Sequence, residues 1–389
     1  MLRFEIAAVA LAALLAFAAT AHAGKVMSVD GATARMVRDP LLPRASKTAL
    51  PPVPRGTRIV TPAIRARAAS LPTAERKECE AALADAKRTR DALPAGAARA
   101  ELSAVIANAQ ALDASGQLMS SRLPATLMTL GRNTEFWRYH QPPPAGTRLV
   151  FTGSPVLLEY YPGEGLQIQP LGNFGKANAA WSVCRSQGDK TCAPLQSLLD
   201  AMIALVAPRG TFKAWEYYFD FEGGVPPWTS AMSQGTAIQA LLRAYTLTGL
   251  TKYRDAAAAA IGAFQTAPPT GVAIPATGGT HYLMYSYAPK LLIFNGFLQS
   301  LVGLDAYGDL TGDPRGGTLF RGGHGNAKVI VPLSDTGSWS LYSVGGPLST
   351  LEYHTLLRDI LGVLCRRQGA AVYCDHEQRY TSYLALRSG

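Results

Sequence analysis

The residues best suited to chemistry gather where an aromatic segment runs into the start of a helix. Trp215-Glu216-Tyr217-Tyr218-Phe219-Asp220-Phe221 reads as a strand that carries rings and carboxylates, with Glu222 just beyond. Pro226-Pro227 ends it, since proline cannot donate to a ladder and restricts the residue before it. Trp228-Thr229-Ser230-Ala231-Met232-Ser233-Gln234-Gly235 leads into Ala237, Ile238, Ala240, Leu241, Leu242, Ala244 and Tyr245, apolar positions at helical spacing. Gly249 stands where that helix would stop. An indole able to stack on a sugar face, with Ser230 and Gln234 beside it, would make a sugar-binding rim at a helix start.

Four other stretches carry a similar mixture. Tyr161-Pro162 precedes Gln169, Leu171-Gly172-Asn173 and Phe174. Tyr285-Ser286-Tyr287-Ala288-Pro289 precedes Phe294-Asn295-Gly296-Phe297, and Leu333-Ser334-Asp335-Thr336-Gly337-Ser338 leads to Tyr342. Leu351-Glu352-Tyr353-His354-Thr355 opens the last helical region. In this order, and with Arg243-Ala244-Tyr245, the five blocks resemble the C-terminal α/α domain of the D-glucuronyl C5-epimerase family over residues 150–385.

The resemblance implies an isomerase that needs no metal or cofactor and converts D-glucuronate to L-iduronate within an acidic polysaccharide. Such a reaction removes the proton α to a carboxylate and returns one to the opposite face. It needs an acid, a base and a group that holds the enolate-like carboxylate. By the resemblance, Tyr342 and Tyr353 are the acid and base, and His354 orients a neighbour or donates to the carboxylate. The substrate contacts it implies are Tyr161, Gln169, Asn173, Trp228, Ser230, Gln234, Arg243, Tyr285, Asn295 and Asp335. A free tyrosine has a pKa of about 10, so a tyrosine base calls for a nearby positive charge or several donors.

Taken singly, each residue also has a plain structural reading. Most of the 16 tyrosines must pack with a hydrogen-bonded hydroxyl. Asp335 suits a brace for the Asp-Thr-Gly turn, and Asn295 suits a helix cap. The chain also departs from the family pattern. Ser343-Val344-Gly345-Gly346 follows Tyr342 where the family has a stretch with Arg and His, and Leu283-Met284 precedes Tyr285 where it has carboxylates. Arg243, Arg358 and Lys290 are the sequence candidates for a substitute cation. Two other readings stand beside the epimerase: a polysaccharide lyase, which begins with the same proton abstraction, and a non-catalytic acidic-glycan-binding protein.

The bulk properties agree with an exported glycan-directed protein. Met1-Leu2-Arg3, an apolar run over 6–19 and Ala21-His22-Ala23 read as a secretory leader, so the mature chain is expected to begin at Gly24. The expected location is the periplasm or the exterior, with no membrane span after cleavage. Cys184 with Cys192, and Cys365 with Cys374, bracket short polar loops and read as two local disulfides, leaving Cys79 free. There is no Cys-x-x-Cys and no His pair at ligand spacing, so no zinc site is expected. A net charge of +10 suits a polyanion, and an acidic polysaccharide fits an exported protein better than nucleic acid. A homodimer is left open.

These residues need a scaffold that presents several helix starts at one end. The expected fold is mainly α: an incomplete α/α toroid with short β-hairpin inserts, preceded by an alanine-rich helical segment. Residues 24–73 read as a Pro/Arg/Ala-rich linker, 74–140 as accessory helices broken at Pro94 and Pro124, and 148–385 as the epimerase-like domain with leading strands. Helices are expected near 195–207, 234–248, 251–265, 291–307 and 350–366, with hairpin-like inserts at 211–222 and 329–342.

Overall fold

The computed structural model describes residues 23–43, 51–58 and 71–388. The expected leader over 1–22 lies outside these residues, as do 44–50 and 59–70 of the expected linker.

The C-terminal part is built of four helical hairpins. Helices α4 (Pro170–Ser186), α6 (Ala231–Thr248), α8 (Phe294–Thr311) and α10 (Leu351–Gln368) pack side by side in that order as an inner arc. Helices α5 (Ala193–Ala204), α7 (Thr251–Ala260), α9 (Pro314–Ile330) and α11 (Ala371–Ser388) each pack outside the inner helix that precedes them. This is the incomplete α/α toroid expected from the sequence. Helices α6 and α8 approach so closely that a Cβ on Gly303 would lie 2.2 Å from the Gly235 carbonyl oxygen. Only glycine permits that contact. The cysteines pair as expected: Cys184–Cys192 ties α4 to α5, Cys365–Cys374 ties α10 to α11, and Cys79 is a buried free thiol.

Helix α11 is absent from the expected set, and so are α4 and α9. Both begin with proline at the first turn, Pro170 after the Gln169 cap and Pro314 after the Asp313 cap, a standard start signal. Glycines at 316, 317, 322, 323 and 325 obscure the α9 periodicity. They are used for packing: a Cβ at Gly325 would meet the Gly278 carbonyl oxygen at 2.1 Å. The expected insert at 329–342 is accordingly shorter; its ladder is a single bridge between Asp335 and Ser340.

Residues 23–43 correct the linker reading. They form a hairpin of β1 (Ala23–Asp30) and β2 (Thr33–Pro43) around Gly31-Ala32, with Gly31 at φ 55°. Gly31 supplies the positive φ that the first position of a two-residue hairpin loop requires, and Val26 and Val29 bury themselves in the sheet. The hairpin joins β3 (Arg148–Phe151), β4 (Leu158–Tyr161) and β5 (Gly165–Ile168) in the order β2-β1-β3-β4-β5, with β1 and β3 parallel.

Helices α1 (Thr73–Ala92), α2 (Ala97–Ala114) and α3 (Leu123–Trp137) share one apolar core with the toroid. They also fix the β4–β5 turn. The Glu101 carboxylate on α2 accepts from the amides of Gly163 and Gly165 and from the Tyr160 hydroxyl. Asn133 on α3 clamps both backbone groups of Leu166. Among the described residues, no helix is long and apolar enough to cross a membrane.

Candidate functional site

The four inner helices begin at the same end of the molecule, around one aromatic cluster. Gln169 caps α4, Ser230 caps α6 two residues after Trp228, Ile293 precedes α8, and Tyr353 lies in the first turn of α10, which Thr350 caps. The cluster joins Tyr217, Phe219, Trp228, Tyr285, Tyr287, Ile293 and Tyr342, with Tyr161, Phe221 and Tyr353 packed against it. Four helix N-termini aimed at one place make it electropositive and suited to an anion.

The hydroxyls are held in a chain of contacts. Tyr217 stacks on Trp228 at 4.0 Å between ring centroids and pairs with the Ser233 hydroxyl at 2.6 Å. The Tyr285 hydroxyl lies near that of Tyr342, whose ring meets the Tyr353 ring edge-on at 5.3 Å. Asn295 donates from Nδ2 to the Tyr353 carbonyl at 3.2 Å and leaves its buried Oδ1 without a hydrogen-bond partner. Tyr161 packs on Phe219 at 4.7 Å and lies near the side chains of Glu159 and Gln169.

Burial raises the pKa of Tyr161, Tyr217, Tyr285 and Tyr342 above the ordinary tyrosine value. Tyr353 is pushed up to about 12, by burial first and by the Glu159 carboxylate second. The shift is opposite to what a tyrosine base requires. These hydroxyls hold their protons at neutral pH and are set up to donate them.

The structure thus brings Tyr161, Gln169, Trp228, Tyr285, Asn295, Tyr342 and Tyr353 together. Other expected site residues serve as braces. His354 is buried one layer away, stacked on Trp339 at 3.7 Å; its Nδ1 accepts from Ser340, and its Nε2 lies 3.3 Å from the Tyr380 carbonyl. Asn173 bonds the amide and carbonyl of Leu157. Gln234 donates to the Trp215 carbonyl and the Thr229 hydroxyl. Ser230 caps α6. Asp335 accepts from Gly337 and Tyr383 and pairs with Arg379 at 2.9 Å. Arg243 lies over the Trp181 ring and donates to Asn178, far along α6 from its N-terminus. Of the other candidate cations, Arg358 pairs with Asp359 and Lys290 is exposed.

Several site residues were missed. Tyr217, Phe219 and Phe221 alternate along their segment and enter the cluster, while Glu216 and Tyr218 turn away, a period-two signal present in the sequence. Arg148 and Glu159 pair across β3 and β4, and Glu159 contacts Tyr161. Residues 51–58 lie against the opposite edge. Val53 is buried within the cluster, and the Arg58 side chain crosses Gly223 to within 3.9 Å of Glu222.

Residues 209–382 match the sequence model of the family described as D-glucuronyl C5-epimerase C-terminus. The matched stretch lies within the α/α domain and makes up less than half of the chain. A 162-residue stretch is 33% identical to the D-glucuronyl C5-epimerase of Caenorhabditis elegans, covering 36% of this chain and 26% of that protein. An uncharacterized protein of Methanocaldococcus jannaschii is 26% identical over 177 residues, 44% of this chain and 58% of its own length. The chain therefore spans less than two thirds of either relative. Among solved structures, the cellobiose 2-epimerase of Spirochaeta thermophila is similar with 14% identity over 72% of each chain and a TM-score of 0.44. A GH76 α-mannanase of Bacteroides thetaiotaomicron is similar with 10% identity over 79% of this chain and 82% of that one, at a TM-score of 0.42.

Proposed function

We propose that this protein is an exported C5-epimerase that inverts D-glucuronate residues to L-iduronate within an acidic polysaccharide. The observation that carries the reading is the convergence of Tyr161, Tyr285, Tyr342 and Tyr353 with Trp228 at the shared N-terminal end of the inner helices. An indole suits a sugar face, helix N-termini suit a carboxylate, and protonated tyrosines suit delivery of a proton to C5. The match of residues 209–382 to the epimerase family model favours epimerisation over other chemistry on such a rim. Two disulfides are the mark of an oxidising compartment, where a polymer substrate would be met. Because Val53 fills part of the cluster, a polymer must displace the 51–58 segment to reach the hydroxyls.

The test is deuterium incorporation at C5 when the purified chain from Gly24 onward is incubated with heparosan-type and other glucuronans in heavy water. Incorporation at constant chain length is the expected result. Unsaturated uronate ends with ultraviolet absorbance and shortening chains would replace the epimerase by a lyase. Saturable binding with no exchange on any glucuronan would leave a glycan-binding protein.

A further inference from the structure

Protonated tyrosines leave two roles unfilled: a group to take the C5 proton, and a cation to hold the carboxylate while charge builds on it. The α/α domain supplies neither at the positions where the family pattern has them. The N-terminal sheet brings one of each to the edge of the cluster.

We propose that Arg148 is the carboxylate anchor of this site and Glu159 its proton acceptor. The proposal rests on the uronate reading above. Arg148 and Glu159 are direct cross-strand partners, with Nε and Oε2 3.4 Å apart. Their neighbours Leu149 and Leu158 form the adjacent pair and point into the core, so the charged pair occupies the opposite face. Tyr161, two residues beyond Glu159, shares that face and lies within electrostatic reach of the carboxylate. Tyr353 lies close enough to feel both charges. The side chains of Arg148 and Glu159 are 18% and 15% exposed, so the pair is sheltered yet reachable from solvent. A charge pair at a sheltered site edge is costly to keep for stability alone. Glu159 is also held above the usual carboxylate range, by burial against the opposing pull of Arg148 and Tyr161, which makes it a better proton acceptor.

The step balances as follows. The substrate carboxylate takes the place of Glu159 on the Arg148 guanidinium, and a Glu159 oxygen is released toward C5. The C5–H bond breaks and an O–H bond forms on Glu159. The electron pair enters the C5–C6 bond, giving an enediolate whose charge stays against Arg148. The Tyr342 hydroxyl gives its proton to the other face of C5 and becomes a tyrosinate. The proton on Glu159 then passes to that tyrosinate by way of the Tyr353 hydroxyl, and the starting state returns.

The experiment compares the full mature chain with Glu159→Gln, Arg148→Gln and the double variant. Its readouts are C5 deuterium exchange, equilibrium binding of a glucuronan and of its carboxyl-reduced form, and the thermal midpoint. Glu159→Gln should lose about 100-fold or more of the exchange rate while still binding the glucuronan. Arg148→Gln should bind the glucuronan about tenfold or more weakly and no longer prefer it to the carboxyl-reduced polymer. Folded Glu159→Gln retaining exchange within about threefold of the parent overturns the acceptor role. Arg148→Gln keeping the parent's preference for carboxylate overturns the anchor. If a single variant does not fold, the double variant decides, because its two amides restore a neutral pair; retained exchange there overturns the proposal and lost exchange supports it. A parent chain with no exchange sinks the epimerase reading instead, and the carboxylate preference of Arg148→Gln then still tests the anchor.

Discussion

Every hydroxyl of the tyrosine cluster is biased toward its protonated form, and the bias has one dominant cause: burial among other rings. A tyrosine so placed contributes by donating a proton, and phenylalanine in its place removes only the hydroxyl. Tyr342→Phe and Tyr353→Phe should therefore each lower C5 exchange by about 100-fold or more and leave glycan binding near the parent value. Full exchange in both variants would remove them from the mechanism. Tyr161, Trp228, Tyr285, Tyr342 and Tyr353 were all legible before the fold, because motif order carried them. Arg148 and Glu159 were not: in two strands of four residues each, alternation alone does not say which face meets a site on distant helices.

Elements, rather than residues, decide whether that cluster is open. The 51–58 segment lies across its edge, and the buried Val53 side chain is its apolar contact there. Trimming Val53 to Ala removes two methyl groups, worth about 1.5 kcal/mol of docking at ~0.8 kcal/mol per buried carbon. That is about a tenfold shift toward the undocked segment. The expected outcome is a fall in KM for the polymer of up to about tenfold with little change in kcat, read from exchange rates against glucuronan concentration. An unchanged KM would mean that the segment does not compete with substrate. A second element-level tie joins α3 to the toroid. Glu216 accepts from Arg122 at the start of α3 and from Arg209 on the strand Ala207–Arg209, and all three side chains are 3% exposed or less. Glu216→Gln would leave two buried guanidiniums sharing one neutral acceptor, at a cost of about 3–5 kcal/mol. A urea midpoint unchanged by this substitution would show that the accessory helices are held by their apolar core alone. The sequence pointed to those helices as an accessory unit. What it concealed is that Arg122 and Glu216, 94 residues apart, form a buried pair.

At the scale of the whole molecule, the toroid was readable from its long apolar inner helices α6 and α8, and the β1–β2 hairpin was not, because its strands dilute their valines with arginine, aspartate and alanine. The same close packing that makes α6 and α8 readable also traps a titratable group beside them. His281, on the strand Gly279–Tyr282, stacks on Phe297 of α8 at 4.3 Å. Its Nδ1 faces the Asn326 side-chain oxygen of α9 at 3.1 Å, and its Nε2 is buried without a partner. Burial lowers its pKa to about 4, below the ordinary imidazole value of about 6.5, against the weaker opposing pull of Asn326. Between those values the unfolded chain binds a proton that the native chain refuses, so stability falls as pH drops through 6.5 and the loss is complete below about 4. The full effect is about 3 kcal/mol for a shift of this size. Glu159, Glu164 and Asp305 act in the opposite direction, since burial raises their carboxyls in the native state. A difference between two proteins isolates His281 from them. His281→Gln keeps a donor for Asn326 and removes the titration. Its urea stability should therefore decline less between pH 7 and pH 4 than the parent's, by about 3 kcal/mol, whatever its stability at neutral pH. Parallel declines in the two proteins would mean that the imidazole is protonated within the fold, and that the α8–α9 packing opens to receive the charge.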